Sequence, residues 1–325
     1  MFRCIICLKE LPRETASEEH IFPEALGGML VIREVCRECN SHLGRFVDKP
    51  LVDNWLMQAK RMLLGLPGKS GRVPNPLERS VLVNDPGVKV RYEFDANGKP
   101  KRLYVIPQVK KETVEGGERI RIILDKSEED RLPEILGKIT ARYAKTGKGY
   151  TMRQISRREV IVEYPQIAQK VCFDFWNWQR GILKIAYELA YKELGSRYLD
   201  DPAAAKIRAL LQEETVSREE AKRLEIRGQI RLLGQEKPRL FVVDNPDWLV
   251  GGLIVSRNAI FGYVNVFNTF EGCVVLSEEP GAYALRCDNG VIYIIDVPRR
   301  VTQRHSLTEL VANFVEQDPE HREPE

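Results

Sequence analysis

Four cysteines near the N-terminus are spaced to bind a metal ion. Cys4 and Cys7 form one Cys-x2-Cys pair, and Cys36 and Cys39 form a second pair after 28 intervening residues. Two thiolate pairs can close a tetrahedral zinc site, which is structural because it leaves no open coordination position. We therefore predict a structural Zn²⁺ on these four thiolates. A chance cluster of reduced, buried thiols is the alternative.

Oxygen and imidazole groups lie within this cysteine frame. Glu19 and His20 are adjacent between the two pairs, and Asn40 and His42 follow the second pair closely. A histidine with an ordinary pKa of about 6.5 can accept a proton at neutral pH, and carboxylate and amide oxygens suit a hard divalent cation. Simpler interpretations exist as well, since Asn40 is a natural helix N-cap and His42 is as well explained as a surface residue.

The order of these elements resembles the HNH endonuclease family, most closely its compact branch with zinc knuckles. The resemblance covers the N-terminal sixth of the chain. It implies an N-terminal zinc-stapled ββα-metal, treble-clef-like module, in which a hairpin carrying the histidine packs on a helix beside a divalent cation. The motifs that carry it are Cys4-x2-Cys7, Glu19-His20-Ile21-Phe22-Pro23, Gly27-Gly28, Cys36-x2-Cys39-Asn40 and Leu43-Gly44.

The resemblance also implies roles for individual residues. His20 would be the general base that takes a proton from the attacking water. Glu19 and Asn40 would ligate one catalytic Mg²⁺ or Mn²⁺, with His42 as a further ligand. The implied activity is metal-dependent hydrolysis of DNA phosphodiester bonds by a single-metal mechanism.

Two positions depart from the family pattern. Glu19 stands where many members have Asp, which keeps the carboxylate and lengthens the side chain. The middle position of the family's His-Asn-His motif is often an Asn that fixes the loop, and this chain has no Asn between His20 and Cys36. Arg33 or Glu34 is a candidate to replace it, unless the shorter loop needs no tie.

Composition describes an ordinary globular chain. Its 325 residues are 43% hydrophobic and 30% charged, and the net charge of +3 excludes no class of partner. No run approaches the ~18 apolar residues of a membrane span, and no signal-peptide pattern is present, so we expect a cytoplasmic protein. The remaining cysteines, Cys172, Cys273 and Cys287, are interpreted as small buried hydrophobes.

The periodicity of the rest of the chain predicts an α+β protein. A helix is predicted over 51–64, and a Gly/Pro-rich linker follows it. We divide the chain into the nuclease module 1–66, an α+β middle region 78–166, and a helical and then β-rich C-terminal region 167–325. The middle region has a hairpin signal at Asp95-Ala96-Asn97-Gly98 and a strand pattern over 159–163. Helices are predicted from Phe173, from Pro202, from a capping box at Ser217 and from another at Ser306, with strand patterns such as 240–243 between 239 and 297.

The helix predicted over 173–194 begins with aromatic residues. The run from Phe173 to Trp178 could stack on nucleic-acid bases, but aromatic residues at helical spacing are more typical of a core. Arg180 and Lys184 lie one turn apart, and we interpret them either as a functional polar pair or as a solvated face.

One stretch of the middle region is strongly basic. Between residues 138 and 158 it has seven basic side chains and no acidic one: Lys138, Arg142, Lys145, Lys148, Arg153, Arg157 and Arg158. A phosphate backbone is a natural partner for such a stretch, and a solvated helix face is the equal alternative. We predict DNA as the partner, with RNA left open, no membrane, and a homo-oligomer or a regulatory partner.

Two functions of different classes fit these observations. The first is a metal-dependent DNA endonuclease whose C-terminal region recognises the target or regulates cleavage. The resemblance places such nucleases in restriction or anti-phage defence. The alternative is a non-catalytic zinc-binding module for nucleic acid or a protein. The Glu19-His20 dipeptide favours the nuclease, because a purely structural zinc knuckle does not need it.

Overall fold

The structure is a computed structural model of the full chain. It describes residues 1–95, 98–147, 151–174, 176–217, 219–220, 226–233, 245–283 and 289–317, with side chains up to residue 312. The chain separates into two compact units, one formed by Met1–Pro74 with Cys172–Glu325 and the other by Asn75–Val171. The N-terminal cysteine module and the C-terminal region thus share one unit. The division into domains at 1–66, 78–166 and 167–325 stays a prediction. Both units mix helices and strands, which confirms the α+β class.

The first unit begins with two short hairpins and a helix. Strand β1 (Phe2–Arg3) pairs antiparallel with β2 (Glu10–Leu11). Strand β3 (Ala16–His20) pairs antiparallel with β4 (Val31–Cys36), and helix α1 (Arg37–Leu43) follows at once. The second hairpin therefore carries Glu19 and His20 on one strand and leads the other strand into the second cysteine pair.

The helix predicted over 51–64 is divided in two. A π-helical turn over Gly44–Asp48 leads into α2 (Lys49–Val52), and α3 (Trp55–Leu63) begins three residues later. The side chain of Asn54 caps α3, because its Oδ1 accepts a hydrogen bond from the backbone N–H of Met57 at 3.0 Å. The prediction of one continuous helix was wrong because the capping residue starts a new helix.

The second unit, Asn75–Val171, is mostly β-structure. One sheet has the order β10-β5-β6-β7, with β5 (Ser80–Leu82), β6 (Lys89–Phe94), β7 (Pro100–Val105) and β10 (Ile167–Ala168). Strands β8 (Gln108–Val114) and β9 (Gly117–Ile123) form a separate ribbon, and α4 (Leu132–Ala144) follows.

Two predictions for this unit have different outcomes. Strands β6 and β7 pair antiparallel, so the predicted hairpin is confirmed, although residues 96 and 97 of its turn lie outside the described residues. The strand predicted over 159–163 is wrong. No strand is assigned there, and Val160 and Ile161 are 75% and 83% exposed, so the apolar run has no neighbouring strand to cover it.

The C-terminal part of the first unit consists of helices and a sheet. The helices are α5 (Asn177–Leu194), α6 (Pro202–Gln212) and α7 (Leu307–Gln317). The six-stranded antiparallel sheet has the order β11-β14-β13-β12-β15-β16, with β11 (Gly228–Leu232), β12 (Trp248–Val255), β13 (Ile260–Val266), β14 (Phe270–Ser277), β15 (Gly290–Asp296) and β16 (Val301–Ser306).

The helices predicted from Pro202 and from the capping box at Ser306 are present, and side chains cap both. Asp201 accepts a hydrogen bond from the backbone N–H of Ala203 at 2.8 Å, and Ser306 and Glu309 form a reciprocal capping box. The helix predicted after Ser217 and the strand over 240–243 fall mainly on residues 218, 221–225 and 234–244, which lie outside the described residues. In the described part of the chain, no helix is both long and apolar enough to cross a membrane.

Helix α5 lies at the centre of the first unit. Trp178 is 1% exposed and its ring stacks on Phe270 with centroids 4.3 Å apart. The core interpretation of this aromatic residue is therefore correct, and Trp178 is not available to stack on bases. On its other side α5 meets the N-terminal module, because a Cβ at Gly181 would lie 2.7 Å from the Leu51 side chain.

Glycines let α5 approach the sheet closely. A Cβ at Gly262 on β13 would lie 2.9 Å from Cβ of Ala186, and one at Gly272 on β14 would lie 2.5 Å from the Ile182 side chain. A Cβ at Gly251 on β12 would lie 2.8 Å from the Leu189 side chain. The packing of helix on sheet therefore requires the absence of a side chain on three neighbouring strands.

Replacing one of these glycines should destabilise the protein. Gly262→Ala puts a methyl group against Ala186 and Leu276, and we expect a loss of about 1–3 kcal/mol in the free energy of unfolding, as for other overpacked cores. Urea unfolding measures it. Gly281→Ala is the control, since no atom of the described residues lies within 4 Å of a Cβ there. Equal losses in the two variants would contradict this packing.

Candidate active site and metal centre

The four N-terminal cysteines converge as predicted. Cys4 and Cys7 lie in the turn between β1 and β2, Cys36 ends β4, and Cys39 lies in α1. Their sulfur atoms all lie within 4.8 Å of one another. Tetrahedral coordination with Zn–S bonds of about 2.3 Å needs sulfur atoms about 3.8 Å apart. The quartet therefore fits one zinc ion.

The protonation of these thiols also suits a cation. A hydrogen bond with the Cys39 thiol is the main cause that lowers the pKa of Cys4 to about 4. The same contact raises the pKa of Cys39. A thiolate thus lies against protonated thiols, and a divalent cation that displaces their protons would bind all four sulfurs as thiolates.

His20 is held by a backbone carbonyl of the loop that follows it. Its Nδ1 lies 3.1 Å from the carbonyl oxygen of Gly28. Because a carbonyl can only accept, Nδ1 carries the proton, and in the neutral ring Nε2 is left as a proton acceptor. A Cβ at Gly28 would lie 1.9 Å from the carbonyl oxygen of Phe22, so glycine alone fits at this position. The hydrogen bond to the Gly28 carbonyl thus holds the His20 ring in a loop that lacks the middle Asn of the family pattern.

Asn40 anchors the strand that carries His20. It lies within α1, so the N-cap interpretation is wrong; Cys36 is the N-cap. Its side-chain N–H group donates to the carbonyl oxygen of Glu18 at 2.8 Å. The pairing of β3 with β4 is irregular between Ser17 and Glu19, so Glu18 lies at a bulge of the strand. The structure therefore places the Asn40 side chain against the β3 backbone two residues before His20.

His42 contacts the C-terminal region. Its Nε2 lies 3.1 Å from the carbonyl oxygen of Leu211 and 3.2 Å from that of Glu213, at the end of α6. The Leu211 carbonyl lies in the last turn of α6, where carbonyls lack partners within the helix, and the Glu213 carbonyl also accepts from the Arg180 guanidinium. The use of His42 as a metal ligand stays a prediction, with only Nδ1 left for it.

Glu19 faces the interior, where a lysine neutralises it. Its side chain is 4% exposed and forms an ion pair with Lys184 of α5, whose side chain is fully buried. The Lys184 ammonium also donates to the backbone carbonyl oxygen of His20 at 2.7 Å and lies 3.2 Å from a carboxylate oxygen of Asp48. The interpretation of Lys184 as part of a solvated face is therefore wrong.

The surrounding groups determine the protonation of this cluster. Burial alone would lower the pKa of Lys184, but Asp48, Glu188 and Glu19 together raise it, so the ammonium stays charged. Burial raises the pKa of Asp48 to about 6 against the attraction of Lys184. Burial also raises the pKa of Glu188 well above its ordinary range. Both Glu188 oxygens are buried and accept no hydrogen bond within the described residues, and Oε2 lies 3.6 Å from the Lys184 ammonium.

The donor pair implied for the catalytic cation does not fit as it stands. The Asn40 amide is bound to the Glu18 carbonyl oxygen, and the Glu19 carboxylate is buried and paired with Lys184. A cation beside the His20 ring could use Glu19 only if that ion pair opened. The ligand roles of Glu19 and Asn40 stay predictions.

Sequence reasoning missed Lys184, Asp48 and Glu188 as parts of this site. Lys184 lies 164 residues from His20 in the chain, so no local motif connects them. The one available signal was the pair Lys184 and Glu188, four residues apart within an otherwise apolar helix. Charges inside an apolar helix are expected to find buried partners.

The predicted nucleic-acid-binding residues all belong to the second unit. Lys138 pairs with Glu134 and Arg157 with Glu129, so two of the seven charges are neutralised locally. Lys148 lies outside the described residues, and Arg142, Lys145, Arg153 and Arg158 are exposed. Contact of this stretch with DNA stays a prediction. Among the other cysteines, Cys172 is exposed, so its interpretation as buried was wrong; Cys273 is half-buried, and Cys287 lies outside the described residues.

The cysteine quartet gives a prediction about metal content. The purified protein should contain one zinc ion per chain, and Cys39→Ser should lose it because a closed tetrahedral site needs all four thiolates. Elemental analysis measures the content. Cys172→Ser is the matched control, since that thiol is exposed and outside the quartet. Full zinc content in Cys39→Ser would refute the assignment.

Removal of the buried ammonium should be costly. Lys184→Met leaves Glu19 and Asp48 without their cation, and we expect a loss of about 3–5 kcal/mol in the free energy of unfolding. Lys192→Met, on the exposed surface of the same helix, should change little. Adding Glu19→Gln to Lys184→Met should recover part of the loss, because the unpaired charge is removed. No recovery would argue against the pairing.

Comparison with known proteins agrees with the N-terminal geometry. Residues 4–56 match a family model described as HNH endonuclease. That range includes the cysteine quartet, Glu19, His20, Asn40 and Asp48, and excludes Lys184. No curated protein and no solved structure matches the chain. The match suggests nuclease activity, and it confirms the resemblance of the N-terminal segment, residues 4–56, to the HNH endonuclease family.

Proposed function

We propose that the protein is a metal-dependent DNA endonuclease that hydrolyses phosphodiester bonds at the His20 site. The observation that carries the proposal is the hydrogen bond between His20 Nδ1 and the Gly28 carbonyl oxygen. It fixes the tautomer and the ring orientation, and it leaves Nε2 to accept a proton. In this role His20 takes the proton from water as the water attacks phosphorus.

Three contacts would keep His20 in place during the reaction. The Gly28 carbonyl orients its ring, Lys184 binds its backbone carbonyl oxygen, and Asn40 binds the strand two residues before it. Such pre-positioning lowers the entropic part of the barrier. A Mg²⁺ or Mn²⁺ ion would stabilise the charge that develops on the phosphate and the departing oxygen. The requirement for this ion comes from the family resemblance, and its ligands are left open.

DNA as the substrate also rests on the family. The basic side chains of the second unit and the C-terminal region of the first unit are the candidates for binding and choosing the target. A role in restriction or anti-phage defence belongs to the same proposal. Phosphate contacts by Lys and Arg would supply affinity without sequence preference.

One observation favours the alternative function, a non-catalytic zinc module for nucleic acid or a partner. Glu19 is sequestered by Lys184, so a carboxylate that the family would use for the cation is engaged elsewhere. In that case His20 would serve only to hold the hairpin loop. The two functions differ in whether the protein cuts.

Plasmid cleavage decides between them. Supercoiled plasmid incubated with the protein and Mg²⁺ or Mn²⁺ should be nicked or linearised, and we expect His20→Ala to lower the rate by at least about 100-fold, as for loss of a general base. His305→Ala is the matched control, because that histidine lies on β16 outside the family segment. A single-stranded RNA in parallel tests the alternative substrate.

The outcomes separate the proposals. Metal-dependent cleavage that His20→Ala abolishes and His305→Ala preserves supports the nuclease. Equal cleavage by wild type and His20→Ala would show that the activity does not come from this site. DNA binding without cleavage under any divalent cation would support the non-catalytic module instead.

A further inference from the structure

The turn between β15 and β16 presents two arginines. It runs through Val297, Pro298, Arg299 and Arg300, and the Arg300 N–H closes it on the Val297 carbonyl oxygen at 3.3 Å. The Arg299 N–H is bound by the Asp296 side chain at 3.1 Å. Val297 is 5% exposed, whereas the three residues after it are exposed. A buried valine thus anchors a tight turn whose tip is basic.

This anchor rests against the loop that holds His20. A Cβ at Gly27 would lie 2.6 Å from Cγ1 of Val297, and Gly27 directly precedes the glycine whose carbonyl binds His20 Nδ1. Consecutive Cα atoms are about 3.8 Å apart, so the Cα of Arg299 lies within about 8 Å of that of Val297. The backbone of the two arginines is therefore carried close to the His20 loop, although Arg299 and His20 are far apart in sequence.

The positive charge of the two arginines in this turn is only partly compensated by acidic neighbours. Arg299 lies 3.5 Å from Asp296, but its side chain is 80% exposed, so water screens that pair. Arg300 has neither an ion pair nor a hydrogen bond from its side chain among the described residues. Its φ of 55° lies in the left-handed region, which is uncommon for a residue with a side chain. On the nearby hairpin, by contrast, Arg13 and Arg33 are paired with Glu34 and Glu18.

Arginine is suited to phosphate more than to other exposed partners. Its planar guanidinium offers a rigid fork of N–H donors that matches two oxygens of a phosphate. Two such forks on one tight turn can contact one strand backbone without reading its bases. The basic stretch at 138–158 belongs to the other unit, whereas this turn belongs to the same compact unit as His20.

We propose that the Pro298-Arg299-Arg300 turn is a binding site for the phosphate backbone of the nucleic-acid strand that enters the His20 site. The C-terminal sheet then contributes directly to substrate binding and to the position of the strand relative to His20. This inference rests on the proposed function, since it assigns the ligand of the turn as the strand that His20 acts on.

The test uses the full chain and a fluorescent DNA duplex. In the His20→Ala background, which prevents cleavage, anisotropy titrations at several salt concentrations compare the parent with Arg299→Ala/Arg300→Ala. We expect weaker binding and a log–log salt slope smaller by about 2, because each lost phosphate contact removes about one released counterion. Two duplexes of unrelated sequence should be affected equally.

A control at the opposite end of the sheet makes the test specific. Arg257 is exposed in the turn between β12 and β13, and strand pairing places that turn at the far end from the turn at 297–300. Arg257→Ala should leave affinity and salt slope unchanged. Circular dichroism and the melting temperature establish that each variant folds.

The outcomes of this test are independent of catalysis. A salt slope unchanged in Arg299→Ala/Arg300→Ala overturns the inference, even if the otherwise wild-type protein cleaves plasmid. A lowered slope in a protein that never cleaves supports the binding site while the nuclease proposal fails. If Arg257→Ala lowers affinity equally, the effect is one of total charge, and the assignment to this turn is wrong.

Discussion

The Lys184 ammonium is the interaction on which the candidate site depends. A fully buried cation is tolerated only when charged and polar partners replace its water, and here Glu19, Asp48 and the His20 carbonyl oxygen do so. The lysine comes from the long C-terminal helix, and its partners come from the N-terminal hairpin and the turn after α1. One side chain therefore joins two regions of the sequence at the residue beside the candidate base.

The N-terminal segment is held in place by contacts with later parts of the chain. Residues 4–56 match the HNH family, yet Lys184, the carbonyls bound by His42 and the valine behind Gly27 all belong to later parts of the chain. The hairpin is consequently packed and hydrogen-bonded on several sides by the C-terminal helices and sheet. Such a segment is expected to depend on those elements for its stability as well as on zinc.

Three kinds of constraint then hold the hairpin, each with a different physical origin. The cysteine quartet can be held together by a metal ion, the glycine loop is fixed by steric exclusion of any side chain at Gly28, and the lysine cluster is fixed by the cost of an unpaired buried charge. The first depends on ligand chemistry, the second on shape and the third on electrostatics. All three converge on β3, which carries His20.

The sequence by itself determined the cysteine cluster, the resemblance of the first segment to the HNH endonuclease family, the capping box at Ser306, and the choice of His20 as a candidate base. Each of these depends on residues close together in the chain or on fixed motif spacing, and coordination chemistry and capping are local. The strand over 159–163 was predicted wrongly by the same local reasoning, because a strand exists only if a partner pairs with it.

Only the tertiary structure decided how the site is built. It placed the Glu19 carboxylate on Lys184, tied the His20 ring to a glycine carbonyl, and set the arginine turn of the C-terminal sheet beside the same loop. A sequence motif specifies which groups are present, but the direction of a side chain on a strand depends on which buried partner lies behind it. That partner, Lys184, lies 164 residues beyond His20, and its location is settled by the packing of helix α5 between hairpin and sheet.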